Sequence, residues 1–319
     1  MTPFNTLLEV VKHCDKFPYT IDPQSTEEQH HATPVYLGRH KIGNILPHVL
    51  PALTEYNNKT EPAPFVINKD SITFASWVTT AELRTTVMKQ LMDTWRANKT
   101  FKVLAGWRNE LYPVYGDSEQ EGNIAFVMER AATPLFGIST FGVHINAFTR
   151  DENGHILMWV ARRAKTKQTW PGLLDNCVAG GISYSYSVKD TMIKECDEEA
   201  SIPAALASKA HSVDVISYYT YTDGGLQPET QYIYDLELPK DFTPTPCDGE
   251  VGCFYLWPLE KVKETILKNE WKPNCALVAI NFMMRHSFIT PDDEPDYIHI
   301  SYRLHRRLEF PTVRKGHSS

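Results

Sequence analysis

Apolar positions set the first divisions of the chain. Near its start Phe4, Leu7, Leu8 and Val11 recur at helical spacing, which predicts a short amphipathic helix. A proline-rich stretch follows. Between Thr80 and Trp95 the residues Leu83, Val87, Leu91 and Trp95 return at four-residue intervals and predict a second helix, because such residues share one face. The segments PFVINKD and ITFASWV between these helices read as strands. Residues 1–130 are therefore expected to form a separate, smaller α/β module.

The texture changes from about Ala131. FGVHINAFTR and ILMWVARR read as two strands flanking the turn Asp151-Glu152-Asn153-Gly154, a composition that suits a hairpin. A loop punctuated by proline and glycine, TWPGLLDNCVAGG, precedes an expected helix from about Val188 to Ala200. QYIYDLELP and GCFYLWPL read as later strands, with helices near Leu259–Lys268 and Asn274–Arg285. Strands and helices mix without a regular βαβ rhythm, which points to an α+β fold over residues 131–319 rather than a doubly wound sheet. Within the first module, GWRNELYPVYG reads as a joining segment whose Trp107 and Tyr112 pack and whose Arg108 and Glu110 pair.

Composition narrows the function classes. A net charge of −7 argues against a protein that grips nucleic acid mainly through phosphate contacts. No apolar run approaches the ~20 residues needed to span a membrane, and the first residues lack the pattern of a targeting signal. The six cysteines include no CxxC pair and no cluster with histidine at zinc spacing. Reduced thiols in a cytoplasmic compartment are the expectation.

The stretch with the most chemistry is AGGISYSYSVKDTMIKECDEEASIP, residues 179–203. At ~100° per residue, Lys189, Ile193, Cys196 and Ala200 form one stripe of the helix, while Glu195, Glu198 and Glu199 gather on the other side. Three neighbouring carboxylates repel one another and raise each other's pKa unless something positive lies among them. A divalent cation with a preference for oxygen ligands, Mg²⁺ or Mn²⁺, would supply that charge. The plainer alternative is a solvated acidic face, since charge runs usually meet water. The Gly-Gly pair leading into the helix shifts the balance towards a site.

This stretch resembles the Nudix box, in which a glycine, five residues, a glutamate and seven residues precede R-E-U-x-E-E-x-G-U, U being aliphatic. Gly180 matches the first glycine, Glu195 the glutamate of the R-E pair, Cys196 and Ile202 the aliphatic places, and Glu198 and Glu199 the paired glutamates. Three positions depart from it: Tyr186 replaces the first glutamate, Lys194 the arginine and Ser201 the late glycine. The runs WRNELYPVYG, ERAATPLFGISTFGVHINAF and WVARRAKTKQTWPGLLDNCVAGGI extend the resemblance to one Nudix subfamily with an extra N-terminal domain, related to the Nudix part of fungal thiamine pyrophosphokinase fusions. The resemblance implies an α/β/α sandwich with a mixed sheet. It also implies metal-dependent hydrolysis of thiamine diphosphate-like molecules, oxothiamine and oxythiamine diphosphates above all, to monophosphate and phosphate. Metal ligands would be Glu195, Glu198, Glu199 and the Gly180 carbonyl. A Nudix hydrolase of nucleoside diphosphate sugars or dinucleotides, or a non-hydrolytic diphosphate-binding module, stays open, as does a homodimer.

Other candidates surround this helix. Arg162, Arg163, Lys165 and Lys167 lie just ahead of the glycine pair, where alternate members could face a diphosphate. Glu250, in the loop DGEVG, joins Glu198 and Glu199 as a candidate base or metal-shell acid. Asp175 and Asn176 read as loop-shaping residues, and the Arg285-His286 pair as helix-capping. Trp107, Trp170, Tyr184 and Tyr186 offer rings for stacking, although such residues more often serve packing.

Overall fold

The computed structural model describes residues 2–19, 31–117, 122–222 and 224–313. The opening apolar pattern forms α1 (Leu7–Cys14), whose Thr6 side chain caps the Glu9 amide. Next come β1 (Thr33–Leu37), β2 (His40–Ile45), α2 (Leu50–Lys59), β3 (Phe65–Ile67), β4 (Ile72–Phe74), α3 (Ala81–Ala97), β5 (Leu111–Tyr115), β6 (Ile124–Glu129) and α4 (Thr133–Phe136). The first four strands make a mixed sheet in the order β2-β1-β4-β3, and β5 pairs with β6 as a separate hairpin. Thr80 caps α3, and Val87, Leu91 and Trp95 are buried in the first core, where α3 lies on β6, while Leu83 remains exposed.

The second half contains β7 (Thr140–Arg150), β8 (Ile156–Arg163), β9 (Leu174–Asn176), β10 (Val178–Gly181), α5 (Val188–Ala200), α6 (Ala204–Ala207), β11 (His211–Thr222), β12 (Gly225–Glu237), β13 (Val251–Pro258), α7 (Leu259–Leu267), α8 (Pro273–Arg285) and α9 (Tyr297–Leu304). The expected hairpin is present: β7 pairs with β8, and Asp151 Oδ1 accepts the amides of Asn153 and His155 at 2.8 Å each to shape the turn. The sheet runs β11-β12-β7-β8-β13, with β10 against β7 and β9 against β8. Its β12–β7 pairing is parallel and the others are antiparallel. Alternation along β7 sends Val143, Ile145 and Ala147 towards α5 and Phe148 towards α8, so helices cover both faces in an α/β/α sandwich.

The division between the two halves differs from the expected break at residue 130. The first core includes Leu135, Phe136 and Ile138, so α4 belongs to it. Conversely, α1 packs in the second core, where Leu7, Val10 and Val11 join Val262, Ile266, Leu277 and Ile280. Its apolar stripe specifies burial but not the partner, which lies more than two hundred residues away along the chain. A buried ion pair reinforces this placement: Asp15 accepts from Arg306 at 2.8 Å and from Arg303 at 3.2 Å. No helix among the described residues is long and apolar enough to cross a membrane.

Candidate functional site

The chain turns through Gly180 and Gly181 at the end of β10, and Ser187 then starts α5 by accepting the Asp190 amide. Both glycines are required by close neighbours. A β-carbon on Gly180 would lie 2.7 Å from Glu195 Oε2 and still nearer its carboxyl carbon. One on Gly181 would overlap the Tyr112 hydroxyl and come within 3.4 Å of Arg130 Cζ. The glycine pair thus lets α5 lie against the strand end on one side and the β5–β6 hairpin on the other. The helix ends at Ser201, which takes the left-handed conformation (φ +52°) where glycine is usual, and its hydroxyl donates to the Thr245 carbonyl at 3.0 Å.

The three glutamates of α5 occupy different environments, and the helical wheel did not foresee this. The buried stripe is Thr191, Met192, Cys196, Glu199 and Ala200, whereas Lys189 is exposed. Glu199 is buried and accepts the Ala179 amide at 2.9 Å. Burial raises its pKa well above the ordinary carboxylate range; Asp175 adds to this, the Ala179 amide opposes it, and Glu195 and Glu250 contribute further repulsion. Glu195 is also raised by burial, with Lys194 acting against it and Glu198 and Glu250 with it. Glu198 is the exposed member. Lys194 bridges the pair, 3.3 Å from Glu195 Oε1 and 2.5 Å from Glu198 Oε2. Lys194 therefore keeps the positive charge that the box places at this position, on the outer edge of the acids.

Glu250 belongs to the same electrostatic cluster. Burial works to raise its pKa, but the Lys167 ammonium, with which it pairs, outweighs this, and Arg163 and Arg108 assist; the net shift is downward. Among the described residues, no three histidine, cysteine or acidic side chains already close into a metal cage. The donor set nevertheless fits a hard cation. It is all oxygen, Glu199 is a buried carboxylate with a single backbone donor, and the bare Gly180 leaves its space to the Glu195 carboxylate. Such a cation would relieve the mutual repulsion of Glu195, Glu198 and Glu199.

The basic run ahead of the loop is not the free cationic rim expected from sequence. Arg163 is committed: its guanidinium donates to Asp175 at 2.7 Å and to the carbonyls of Trp170 and Thr169 at 3.1 and 3.0 Å. It folds the 164–173 loop back onto β9 and is not available as a diphosphate ligand. Arg162, on the opposite face of β8, donates to Gly172 O at 2.8 Å and to the Tyr255 hydroxyl at 3.2 Å, with its guanidinium over the Tyr255 ring. That orientation likewise contradicts a ligand role. Lys167 is paired to Glu250. Lys165 is exposed on the loop.

Asp175 and Asn176 do not shape a loop. They lie in β9, both buried, because β9 pairs with β8 beneath the 164–173 loop. Asp175 meets Arg163 and the Cys275 thiol, and Asn176 Oδ1 contacts His144 Nδ1 at 2.7 Å. Arg285 and His286 clamp Asp235, at 2.6 and 2.9 Å, instead of capping α8 with their side chains. All six cysteines are free thiols. In the segment 106–116, Glu110 pairs with Arg130 at 2.9 Å and not with Arg108. Trp107 packs at the edge of the first core under Arg96, and Tyr112 is buried against Gly181. Sequence spacing could not reveal this arrangement, since hairpin and glycine pair are seventy residues apart.

Comparison with known proteins adds a family. A model described as a NUDIX domain matches residues 140–275, and one described as a domain of unknown function, DUF4743, matches residues 6–140. The Saccharomyces cerevisiae protein YJR142W, itself uncharacterized, is 38% identical over 243 residues, 72% of this chain and 70% of that protein. Nudix hydrolase 20, chloroplastic, from Arabidopsis thaliana is 41% identical over 206 residues, 64% of this chain but only 54% of the plant protein. The match thus spans about half the length of that relative. The crystal structure of DR0079 from Deinococcus radiodurans has 17% identity and a TM-score of 0.40, covering 54% of this chain and 98% of that one.

Proposed function

This chain belongs to the Nudix hydrolases that carry an N-terminal DUF4743 domain, and we propose that it cleaves a small organic diphosphate of the thiamine diphosphate type, its oxo and oxy analogues first, to monophosphate and phosphate. The reading rests chiefly on one arrangement: Glu195 against Gly180, Glu199 on the neighbouring Ala179 amide and Glu198 linked to Glu195 through Lys194, with Glu250 close enough to perturb two of them. Nudix hydrolases generally use divalent metal ions such as Mg²⁺ or Mn²⁺ and act on small molecules. Here Glu195, Glu198, Glu199 and the Gly180 carbonyl are the groups that would hold the ion. When bound, it supplies charge stabilisation at the phosphoryl oxygens and eases ionisation of water.

The chain's own residues account for the remaining chemistry. Glu250 is kept ionised by Lys167 and takes the proton from the attacking water. Water adds at phosphorus, the bridging P–O bond breaks, and the electron pair leaves with the departing phosphate oxygen. Positioning and charge stabilisation suffice for such a transfer, so no covalent nucleophile is required. Buried Glu199 holds the Ala179 amide and fixes the strand end against α5. For the organic part, Trp170, Tyr184 and Tyr186 are exposed on the two loops that border the acids, and their faces suit a pyrimidine or thiazole ring.

A substrate panel tests this: thiamine diphosphate, its oxo and oxy analogues, ADP-ribose and a nucleoside diphosphate sugar, each with Mg²⁺. The highest kcat/KM is expected for the thiamine-like compounds. Turnover confined to ADP-ribose or the sugar would remove the substrate assignment and leave the diphosphate chemistry.

A further inference from the structure

A diphosphate brings several negative charges to a site that already holds four carboxylates. The adjacent basic run is largely spent on the protein itself: Arg162 on Gly172 and Tyr255, Arg163 on Asp175, Lys167 on Glu250. Lys194 is taken up by Glu195 and Glu198. Lys165 stays on the exposed loop, and a diphosphate calls for a further cation able to engage two of its oxygens at once.

The first domain supplies one. Its 106–110 segment lies against the 164–173 loop, where the Gln168 side chain approaches Gly106 to within 3.6 Å of a β-carbon position. Two residues further on is Arg108. Its backbone is fixed, because the amide donates to buried Glu129 Oε1 at 3.0 Å, and Glu129 also accepts the Ala131 amide at 3.2 Å. The preceding Trp107 is held by the Asn109 side chain at 3.0 Å and by Arg96 over its ring. The nearest acid in sequence, Glu110, is paired to Arg130. Arg108 is an exposed residue whose guanidinium, partly desolvated by the protein around it, makes no hydrogen bond or ion pair with any described residue. Its charge nevertheless reaches the catalytic cluster, as one of those that lower the pKa of Glu250.

The hairpin that follows is fastened to the loop entering α5. The Tyr184 amide donates to the Leu111 carbonyl at 2.9 Å, and the Tyr112 hydroxyl fills the space that Gly181 leaves open. The first domain is therefore set in register with the metal helix.

We propose that Arg108 is a substrate-binding residue of the hydrolase site: the N-terminal domain presents its guanidinium to phosphoryl oxygens of the diphosphate, across from the carboxylates of α5. The inference rests on the diphosphate reading above. A planar guanidinium can engage two phosphoryl oxygens at once, which a lysine cannot match. The DUF4743 domain is then part of the active site.

The test is calorimetric binding of imidodiphosphate, which is not cleaved, to the full chain with Mg²⁺. Arg108→Ala is expected to weaken binding by about tenfold or more, Arg108→Lys to recover part of the loss, and Lys209→Ala, at an exposed lysine outside the site, to change it less than about threefold. Melting curves check folding; should Arg108→Ala unfold, Arg108→Gln gives the same comparison. In turnover, KM rises in Arg108→Ala while kcat stays within about threefold. Imidodiphosphate binding equal to that of the parent in a folded Arg108 variant overturns the proposal, as does a parent that does not bind it. Because binding is read without turnover, a protein that binds imidodiphosphate through Arg108 yet cleaves none of the panel would sink the hydrolytic reading and leave this one standing.

Discussion

Gly180 and Glu195 share one space: the glutamate side chain occupies the position that any β-carbon at 180 would need. The box glycine here sets the resting place of a metal-ligand candidate as well as the turn of the chain. Gly180→Ala must therefore move Glu195. The added methyl should cost about 1–3 kcal/mol of stability through overpacking, and turnover should fall about 100-fold, since a shift of about 1 Å in a positioned group is that costly. Melting curves and kcat measured together check both. A variant with full activity would show that the Glu195 position is not critical.

Glu199 gives the metal-free protein a pH signature. Its carboxyl is pushed up by burial from an ordinary value of 4.5, so the folded chain holds this proton where the unfolded chain has lost it. Stability from this group is complete below the unfolded pKa and declines as pH rises through the folded one. Glu199→Gln should flatten that decline, and at pH 8 without metal its Tm should exceed the parent's by about 2–4 °C for each kcal/mol relieved. Added Mg²⁺ should stabilise the parent more than the variant. Parallel melting profiles for the two proteins from pH 5 to 8 would contradict this.

Asp175 and Arg163 form a buried pair, each side chain at most one-tenth exposed. Burial raises the Asp175 pKa, but Lys272 and then Arg163 outweigh it, so the carboxyl stays ionised. Asp175→Asn would strand a buried guanidinium at a cost of about 3–5 kcal/mol, releasing the 164–173 loop that Arg163 anchors. Urea denaturation gives the number. A loss below about 1 kcal/mol would place the pair among surface bridges.

These cases mark where sequence reading reached and where it stopped. The carboxylate pattern, the Asp151–Gly154 turn and the α3 periodicity are local, decided within a few residues by spacing and side-chain chemistry. The burial of Glu199 depends on which side of α5 meets β10, which the helical wheel cannot supply. Arg163 and Asp175 were both visible, but their pairing depends on β9, a strand only three residues long, lying under a loop. The docking of α1 into the second core and of Tyr112 onto Gly181 joins segments far apart in the chain, through contacts that local spacing does not encode.

Glu250 pairs with Lys167, and this contact tests the assignment of the base. Burial raises the Glu250 pKa, yet Lys167 more than offsets it, leaving the value below the ordinary carboxylate range. A base with this pKa loses activity only when pH falls through it. Lys167→Met should move the acid limb of the kcat–pH profile to higher pH, with kcat at pH 8 within about threefold of the parent. An unmoved limb would transfer the role to Glu198, the exposed acid of α5.

The most direct test of the whole account is phosphate release from oxothiamine diphosphate, titrated with Mg²⁺, by the parent, Glu198→Gln and Glu199→Gln. The account predicts no release without the ion, saturable release by the parent, and losses of about 100-fold or more in both folded variants. Release by the parent that ignores Mg²⁺, or that survives in both variants, would contradict a metal-assisted reaction at the carboxylate helix.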